Sequence, residues 1–263
     1  MPQLDACGLS ETWLQKTCGA RHWRGLEAAV GLPAERWVDA GGKRLYAAFG
    51  LLRLRLDPAT AGVGPAALEG RPLAITSTVG RLGGAQGYSQ HRVAGGGAPL
   101  GTLEMLSVFV GRGDDGGNRS VRRAAVQGAP QAPLPPRLAA QAEALDQQAR
   151  GWRAEVGHGL PPPQELLDCR PCPRGDFNGA GLLYFSSYTG WTDRALWHWG
   201  LLASTDRVAE RSCLFLGNAD IGEPLQLALL EHRHTPQGRQ LTVAVRARPE
   251  QRLLAVVQLR LAA

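Results

Sequence analysis

The residues best suited to chemistry lie in one segment, Asp176 to Tyr188, where a polar, glycine-rich turn leads into an apolar stretch with helical spacing. Such a transition presents the start of a helix, where unpaired backbone N–H groups carry partial positive charge. These groups suit an oxygen that becomes negative during a reaction, such as the carbonyl oxygen of a thioester. We therefore predict substrate contacts from Gly179, Gly181 and Leu182, although the two glycines also fit a plain turn.

Asn178 lies within this turn and is the first candidate for a catalytic side chain. Its amide cannot act as a general base, but it can donate to a developing oxyanion without repelling a carboxylate on the substrate. The alternative is a turn asparagine whose side chain caps the backbone. Ser187 and Tyr188 follow on the same helix, where they either line the pocket or pack the helix.

The turn segment resembles the signature of hot-dog-fold acyl-CoA thioesterases, Asp-x-Asp-x-x-Gly-x-Val-x-Tyr. Asn178 stands where that family has its second Asp, the usual hydrolytic carboxylate. Most of the chain also resembles a family of double hot-dog proteins from polyketide biosynthesis, typified by the leinamycin-pathway acyltransferase/decarboxylase. The resembling segments are Gly8–Leu14, Arg21–Trp23, Lys43–Phe49, Asp176–Tyr188 and Leu216–Asn218.

This resemblance implies two linked activities, decarboxylation of a methylmalonyl thioester and transfer of the propionyl group to an acyl carrier protein. It implies an acyl-CoA substrate, no separate cofactor and a catalytic tyrosine in the first hot-dog unit, where Tyr46 matches best. Tyr46 also fits a strand residue with its ring in the core and its hydroxyl at the edge.

Three other functions remain open: a thioesterase, a non-catalytic module that binds an acyl carrier, and a dehydratase-like relative. A dehydratase normally needs a histidine paired with an Asp or Glu. His22 and His198 are the helix histidines that could serve, and each also fits a hydrogen-bonded structural role.

The predicted elements form the same series twice, one helix followed by antiparallel strands. The first series is a helix over 9–29 capped by Ser10, then strands over 44–56, 73–79, 88–93 and 103–110. A helix over 137–156 connects the halves, after a loop or linker over 113–136. The second series is a helix over 181–199 and strands over 211–216, 225–232, 241–248 and 252–261. Strict alternation in the first strand places Tyr46 on the same face as Leu52.

This repeat fits two antiparallel sheets that each wrap round a central helix and form a pseudo-dimer within one chain. The resemblance implies that this arrangement is an α+β double hot-dog fold. The first unit with its linker spans 1–150 and the second spans 151–263. Further pairing into a homodimer stays open.

The formal net charge of +6 comes almost entirely from arginine. It fits a GC-rich genome, or a positive face for phosphates or an acidic carrier protein. The basic residues are dispersed, so a nucleic-acid partner is not expected.

The cysteines and the apolar runs indicate which other classes of protein are not expected. Five cysteines argue against a disulfide framework, and Cys169 and Cys172 lack a second pair of zinc ligands. No apolar run would span a membrane and no secretory signal is visible, so we expect a cytoplasmic location and no membrane partner.

Overall fold

A computed structural model of the protein describes residues 2–57, 64–127 and 134–262, and its main feature is a large antiparallel sheet. The strands are β1 Leu4–Asp5, β2 Gly8–Leu9, β3 Tyr46–Leu56, β4 Leu73–Arg81, β5 Gln86–Gly95, β6 Ala98–Gly111, β7 Arg122–Arg123, β8 Glu165–Cys169, β9 Val208–Phe215, β10 Leu225–Thr235, β11 Gly238–Ala247 and β12 Arg252–Leu261. Within the described residues, β1 and β2 form a small hairpin and the other ten strands form one sheet.

The order of the strands reveals two equivalent halves. Outwards from the centre the sheet reads β3, β6, β5, β4 on one side and β9, β12, β11, β10 on the other. β3 and β9 join the halves, with Leu51 opposite Leu214 and Arg55 opposite Glu210. β7 extends the sheet beside β6, and β8 forms an edge beside β10. The predicted α+β double hot-dog fold is therefore confirmed.

Five α-helices accompany the sheet in the described part of the chain: α1 Glu11–Val30, α2 Pro65–Leu68, α3 Pro136–Gly157, α4 Pro173–Asp176 and α5 Phe185–His198. Two 3-10 helices, Ala34–Arg36 and Asn118–Ser120, lie in the described connections. Helix α1 begins at the predicted cap, because the Ser10 hydroxyl accepts from the Trp13 N–H at 3.5 Å. It ends at Gly31, whose φ of +75° suits glycine.

The two central helices, α1 and α5, lie on one face of the sheet and run antiparallel to each other. Gln15 donates to the Thr189 hydroxyl at 2.9 Å, and both residues are buried. One turn further along α1, a Cβ atom on Gly19 would lie 2.6 Å from the Phe185 ring. This close approach requires glycine and fixes the start of α5 beside the middle of α1.

The helix α3 covers the opposite face of the sheet, so the sheet has a core on each side. The core beneath α1 and α5 includes Leu14, Leu52, Tyr188, Trp191 and Val257. The core beneath α3 includes Leu51, Tyr88, Leu106, Leu145 and Leu214. The proposed division at residues 150 and 151 stays a prediction, and it falls inside α3.

A β-bulge in β3 corrects one expectation about the candidate tyrosine. The pairing of β3 with β6 shifts between Phe49 and Leu51, so Gly50 is an extra residue that reverses the alternation. Phe49 therefore shares the helix-facing core with Leu52. The prediction that Tyr46 shares a face with Leu52 was wrong, since alternation from Phe49 places Tyr46 on the opposite face.

The other predicted elements agree with the structure to within five residues, and one of the differences lies at the candidate site. The second central helix begins at Phe185 rather than at Gly181, because the preceding residues form a separate turn. The edge strand β8, the hairpin of β1 and β2, the short strand β7 and the short helices α2 and α4 were not predicted. In the described ranges, no helix combines the length and apolar character needed to cross a membrane.

Candidate active site

The segment from Asp176 to Tyr184, here called the Asn178 turn, is a compact loop that ends where α5 begins. The Asn178 N–H donates to the Leu182 carbonyl at 2.9 Å, and the Tyr184 N–H donates to the Asp176 carbonyl at 2.7 Å. Gly181 reverses the chain with a φ of +71°, and its N–H donates to the Asn178 carbonyl at 2.9 Å. These bonds hold the entry to α5 in one conformation.

The side chain of Asn178 takes part in the turn itself. Its Oδ1 accepts from the N–H groups of Ala180 at 3.0 Å and Leu182 at 3.1 Å. This is the capping role that the alternative interpretation expected. Among the described residues, Asn178 Nδ2 has no hydrogen-bond partner, so the amide can still donate to a ligand while its oxygen holds the turn.

The three residues predicted to contact substrate through the backbone differ in whether a ligand could reach that backbone. The N–H groups of Gly181 and Leu182 donate within the turn, and the Leu182 side chain is buried. Gly179 is exposed, and a Cβ atom there would meet nothing within 4 Å. Of the three, only Gly179 presents open backbone to an approaching group, and all three roles stay predictions.

Two residues from the first half of the chain, Arg112 and Asn118, hold the Asn178 turn by hydrogen bonds to its carbonyl groups. Arg112 donates to the Ala180 carbonyl and, at 2.9 Å, to the Asn118 side-chain oxygen. Buried Asn118 donates in turn to the Gly181 carbonyl at 2.6 Å and the Ala219 carbonyl at 2.8 Å. The turn is thus preorganised by both halves of the molecule. Sequence reasoning missed Arg112 and Asn118, since neither belongs to a motif and the fold alone brings them here.

Tyr46 lies on the other side of the same guanidinium group. The Arg112 Cζ atom is 5.5 Å from the centroid of the Tyr46 ring, and the Arg44 Cζ atom is also 5.5 Å from it. Tyr46 is half-buried, and its hydroxyl makes no hydrogen bond within the described residues. Tyr46 and the backbone of the Asn178 turn therefore contact the same arginine, Arg112, although they belong to different halves.

Aromatic rings pack around the start of α5. Trp23 lies with its ring centroid 6.4 Å from that of Tyr184 and 5.9 Å from that of Phe185. Phe49 contacts Phe185 at 4.4 Å, and Lys16 Nζ lies 5.5 Å from the Tyr184 ring centroid. Burial raises the pKa of Tyr184, which therefore stays protonated near neutral pH.

Ser187 and Tyr188 occupy the first turn of α5 but differ in burial. Ser187 is half-buried, and its N–H donates to the Tyr184 carbonyl at 2.9 Å. Tyr188 is 2% exposed and packs against Trp191 and Phe215, each at 5.2 Å between ring centroids. Tyr188 thus packs the helix, and a substrate contact from either residue stays a prediction.

Two histidines form a buried hydrogen-bonded chain behind the aromatic rings. His22 lies 2.7 Å from the Ser89 hydroxyl and 2.8 Å from the Ser107 hydroxyl. His91 lies 2.9 Å from the same Ser89 hydroxyl and 2.8 Å from that of Ser77. Burial lowers the pKa of His22 to about 3 and that of His91 to about 4, so both are neutral near pH 7. His22 is thus part of a structural network.

The carboxylate of Asp176 is also committed to local structure. Its Oδ2 accepts from the Cys172 N–H at 2.7 Å, which stabilises the short helix α4. Cys169 lies in β8 and Cys172 is exposed, and both are free thiols. Across the described ranges, no three His, Cys, Asp or Glu side chains are grouped in a way that could hold a metal ion.

Comparison with known proteins identifies the fold rather than a family. No family model matches the chain, and no curated protein matches it. Among solved structures, it is similar to the 12:0-ACP thioesterase of Umbellularia californica, with a TM-score of 0.64 and 9% identity over 99% of this chain and 90% of that one. It is also similar to an acyl-ACP thioesterase of Bacteroides thetaiotaomicron, with a TM-score of 0.59 and 9% identity over 98% and 93% of the two chains.

Proposed function

We propose that this protein is an enzyme that acts on acyl thioesters and that it hydrolyses an acyl group from an acyl carrier protein or coenzyme A. The convergence of Tyr46, Arg112 and the Asn178 turn at the start of α5 carries this proposal. The similarity of nearly the whole chain to two thioesterases of acyl carrier proteins supports hydrolysis in particular.

The chemistry follows from the donors at the site. Water would attack the thioester carbonyl carbon, and Asn178 Nδ2 would donate to the carbonyl oxygen as it becomes negative. The C–S bond would then break, and the free acid and the protonated thiol of the carrier or of coenzyme A would leave. Because Asn178 Oδ1 is held by two backbone N–H groups, the donor would not need to reorganise during the reaction. The Tyr46 hydroxyl would donate a second hydrogen bond, and Arg112 would keep that region positive.

The positive charges near the start of α5 indicate the binding partners of the enzyme. Lys16 and Arg112 flank the start of α5, where they would attract the phosphates of coenzyme A or the acidic surface of a carrier protein. We propose a thioester substrate with no separate cofactor and a cytoplasmic location. Pairing of two chains stays a prediction.

One observation favours a second candidate, decarboxylation coupled to acyl transfer. The Asn178 turn offers an amide where a hydrolytic carboxylate is usual, and its own carboxylate, Asp176, is bonded to the Cys172 N–H. In this reaction the bond between the methylmalonyl carboxylate and its α-carbon would break and CO2 would leave. The enolate would take up a proton, and the propionyl group would pass to the carrier thiol with release of CoA.

Intact mass spectrometry of a carrier protein distinguishes the two reactions. Hydrolysis predicts that an acylated carrier returns to its free thiol form and that free acid accumulates. Decarboxylative transfer predicts that methylmalonyl-CoA and a free carrier give a propionyl-loaded carrier. If neither product forms above the rate without enzyme, the enzymatic proposal is wrong and the non-catalytic binding module is favoured.

Tyr46→Phe tests the assignment of the first-unit tyrosine. The change removes only the hydroxyl, so we expect kcat to fall about 10- to 1000-fold while thermal stability is kept. Arg112 can still lie against the remaining ring. Turnover equal to that of the wild type would assign Tyr46 to structure alone.

A further inference from the structure

The opposite end of the helix pair carries a second feature that the proposed function does not use. We call the end where α5 begins the turn end, and the end where α1 begins the cavity end. A cavity of about 200 Å³ lies at the cavity end, and its wall includes Cys7, Leu9, Glu11, Leu202, Arg207 and Arg211. Glu11 lies in the first turn of α1. Its position is comparable to that of the Asn178 turn, which directly precedes the first turn of α5.

Arg211 is the central charged group of this cavity. It projects from β9 and is 1% exposed. Its Nε donates to Glu11 at 2.7 Å and its Nη2 donates to Asp193 at 2.8 Å, so it joins the start of α1 to the last turns of α5. Burial alone would lower the pKa of Arg211, but the two carboxylates hold it above its usual value.

These ion pairs do not use all of the donors of Arg211. Its Nη1 is buried and has no hydrogen-bond partner in the described part of the chain, and the same holds for Nε of Arg207. Both residues line the cavity. An unpaired guanidinium N–H in a buried position is costly, so a group that accepts from it would be stabilised there.

We propose that this cavity is a second ligand site and that Arg211 Nη1 donates there to the carbonyl oxygen of a neutral acyl-thioester arm. The inference rests on the proposed function for its ligand class. Four carboxylates line the cavity, those of Asp5, Glu11, Asp193 and Asp206, against two guanidinium groups in its wall and a third, that of Arg239, which pairs with Asp206 at 2.5 Å. A carboxylate ligand would meet this excess of negative charge, whereas a thioester or amide carbonyl would accept a hydrogen bond without adding charge.

The surroundings give such an arm room to extend. A neighbouring cavity of about 490 Å³ shares Leu9 and Leu68 with the first and is lined further along α1 by Trp13 and Thr17. An arm with its carbonyl at Arg211 would pass these two leucines, and its apolar part would lie against Trp13.

The free cysteines provide reporters for both ends in the unmodified protein. Cys7 is exposed and lines the cavity, whereas Cys172 is exposed beside the Asn178 turn.

The probe is a ketone analogue of octanoyl-pantetheine, in which a methylene replaces the sulfur so that the carbonyl remains and hydrolysis is prevented. Alkylation by iodoacetamide, followed by peptide mass spectrometry, measures the protection of each thiol at increasing probe concentration. We expect saturable protection of Cys7.

A filled cavity should abolish this protection. Leu202→Trp places a larger side chain in the cavity wall and leaves the ion pairs of Arg211 in place. We expect binding of the probe at Cys7 to weaken by about tenfold or more. Leu166→Trp, on the exposed edge strand β8, is the matched control and should leave the affinity unchanged within about twofold.

The carbonyl itself reports on Arg211. With a 13C label in the probe carbonyl, hydrogen bonding to a cation shifts the resonance downfield on binding. Arg211→Lys keeps the charge but removes the Nη1 donor, so the shift should be lost while the fold is kept. If this variant does not fold, Leu202→Trp still decides the question.

The outcomes separate this site from the proposed function. Protection of Cys172 alone, with no effect of Leu202→Trp, overturns the second site and leaves the turn end as the thioester site. Protection of Cys7 that is unchanged in Leu202→Trp also overturns it. If neither Cys7 nor Cys172 is protected in the wild-type protein, the second site is overturned, and the carrier assay alone decides the proposed function. Protection of Cys7 that Leu202→Trp removes supports the second site, even if the turn end proves inactive.

Discussion

The two ends of the helix pair begin with the same feature, the start of a central helix, and satisfy its polar groups in different ways. At the turn end, Asn178 Oδ1 accepts two N–H groups, and Arg112 and Asn118 bind the carbonyls. At the cavity end, Arg211 is buried between two carboxylates, and its Nη1 has no hydrogen-bond partner among the residues that the structure describes. The first end is preorganised and closely packed, whereas the second is open and has an incomplete hydrogen-bond network.

This difference shows that pseudo-symmetry of the backbone does not give equivalent sites. The strand order is the same in both halves, yet the sequences that precede α1 and α5 are unrelated. A substrate that requires fixed donors suits the turn end, while one that supplies a missing acceptor suits the cavity end.

The largest effect should come from breaking the ion pairs of the cavity end. Arg211→Ala leaves Glu11 and Asp193 without their partner, and burial already raises the pKa of Glu11. We expect a loss of about 3–5 kcal/mol in the free energy of unfolding, measured in urea. Arg194→Ala, on the exposed side of α5, is the control and should change it by less than about 0.5 kcal/mol. A loss below about 1 kcal/mol would mean that these pairs are not structural.

Asn178→Asp should separate catalysis from structure at the turn end. The carboxylate keeps an oxygen for the Ala180 and Leu182 N–H groups but removes Nδ2, so stability should be kept. We expect kcat/KM for the acylated carrier to fall about 100-fold. Asn178→Ala, the companion variant, should in addition lose about 1–2 kcal/mol of stability. Unchanged activity in the Asp variant would make Asn178 a turn residue only, and a faster release of free acid would favour the transfer reaction.

The pH dependence of stability tests the buried histidines behind the turn end. Their pKa values of about 3 for His22 and about 4 for His91 lie below the usual value of 6.5. The unfolded chain therefore takes up protons that the folded chain does not, and stability falls as the pH drops from 6.5 towards 4. Urea unfolding at several pH values should show a weaker decline for His91→Gln than for the wild type. His198→Gln, at an exposed site, should follow the wild type.

The smallest effect should come from the helix cap at the cavity end. The Ser10 hydroxyl accepts from the Trp13 N–H at 3.5 Å, a long bond. Ser10→Ala should therefore cost only about 0.5 kcal/mol, at the low end for such caps. Ser10→Thr keeps the hydroxyl and should be neutral in the same unfolding experiment. A cost above about 1.5 kcal/mol would show that this end depends on its cap more than the geometry indicates.

The sequence by itself determined the long helices and most of the strands of the large sheet. The cap at Ser10 is a local signal that led to the correct start of α1, and the strands predicted over 241–248 and 252–261 correspond to β11 and β12. Two such series, each a helix followed by antiparallel strands, predicted two sheets that each wrap round a helix, and the resemblance to hot-dog proteins identified the fold. Asn178 and its turn were also found from local sequence, including the alternative in which its side chain caps the backbone.

The tertiary structure alone decided what surrounds these residues. The bulge at Gly50 moved Tyr46 to the other face of β3, and no local pattern marks a bulge that depends on the pairing with β6. Arg112 and Asn118 lie more than fifty positions from the turn that they hold, and Arg211 lies far along the chain from Glu11. Each is one polar residue among many in the sequence. Its role comes from burial and distance, which only the folded chain defines.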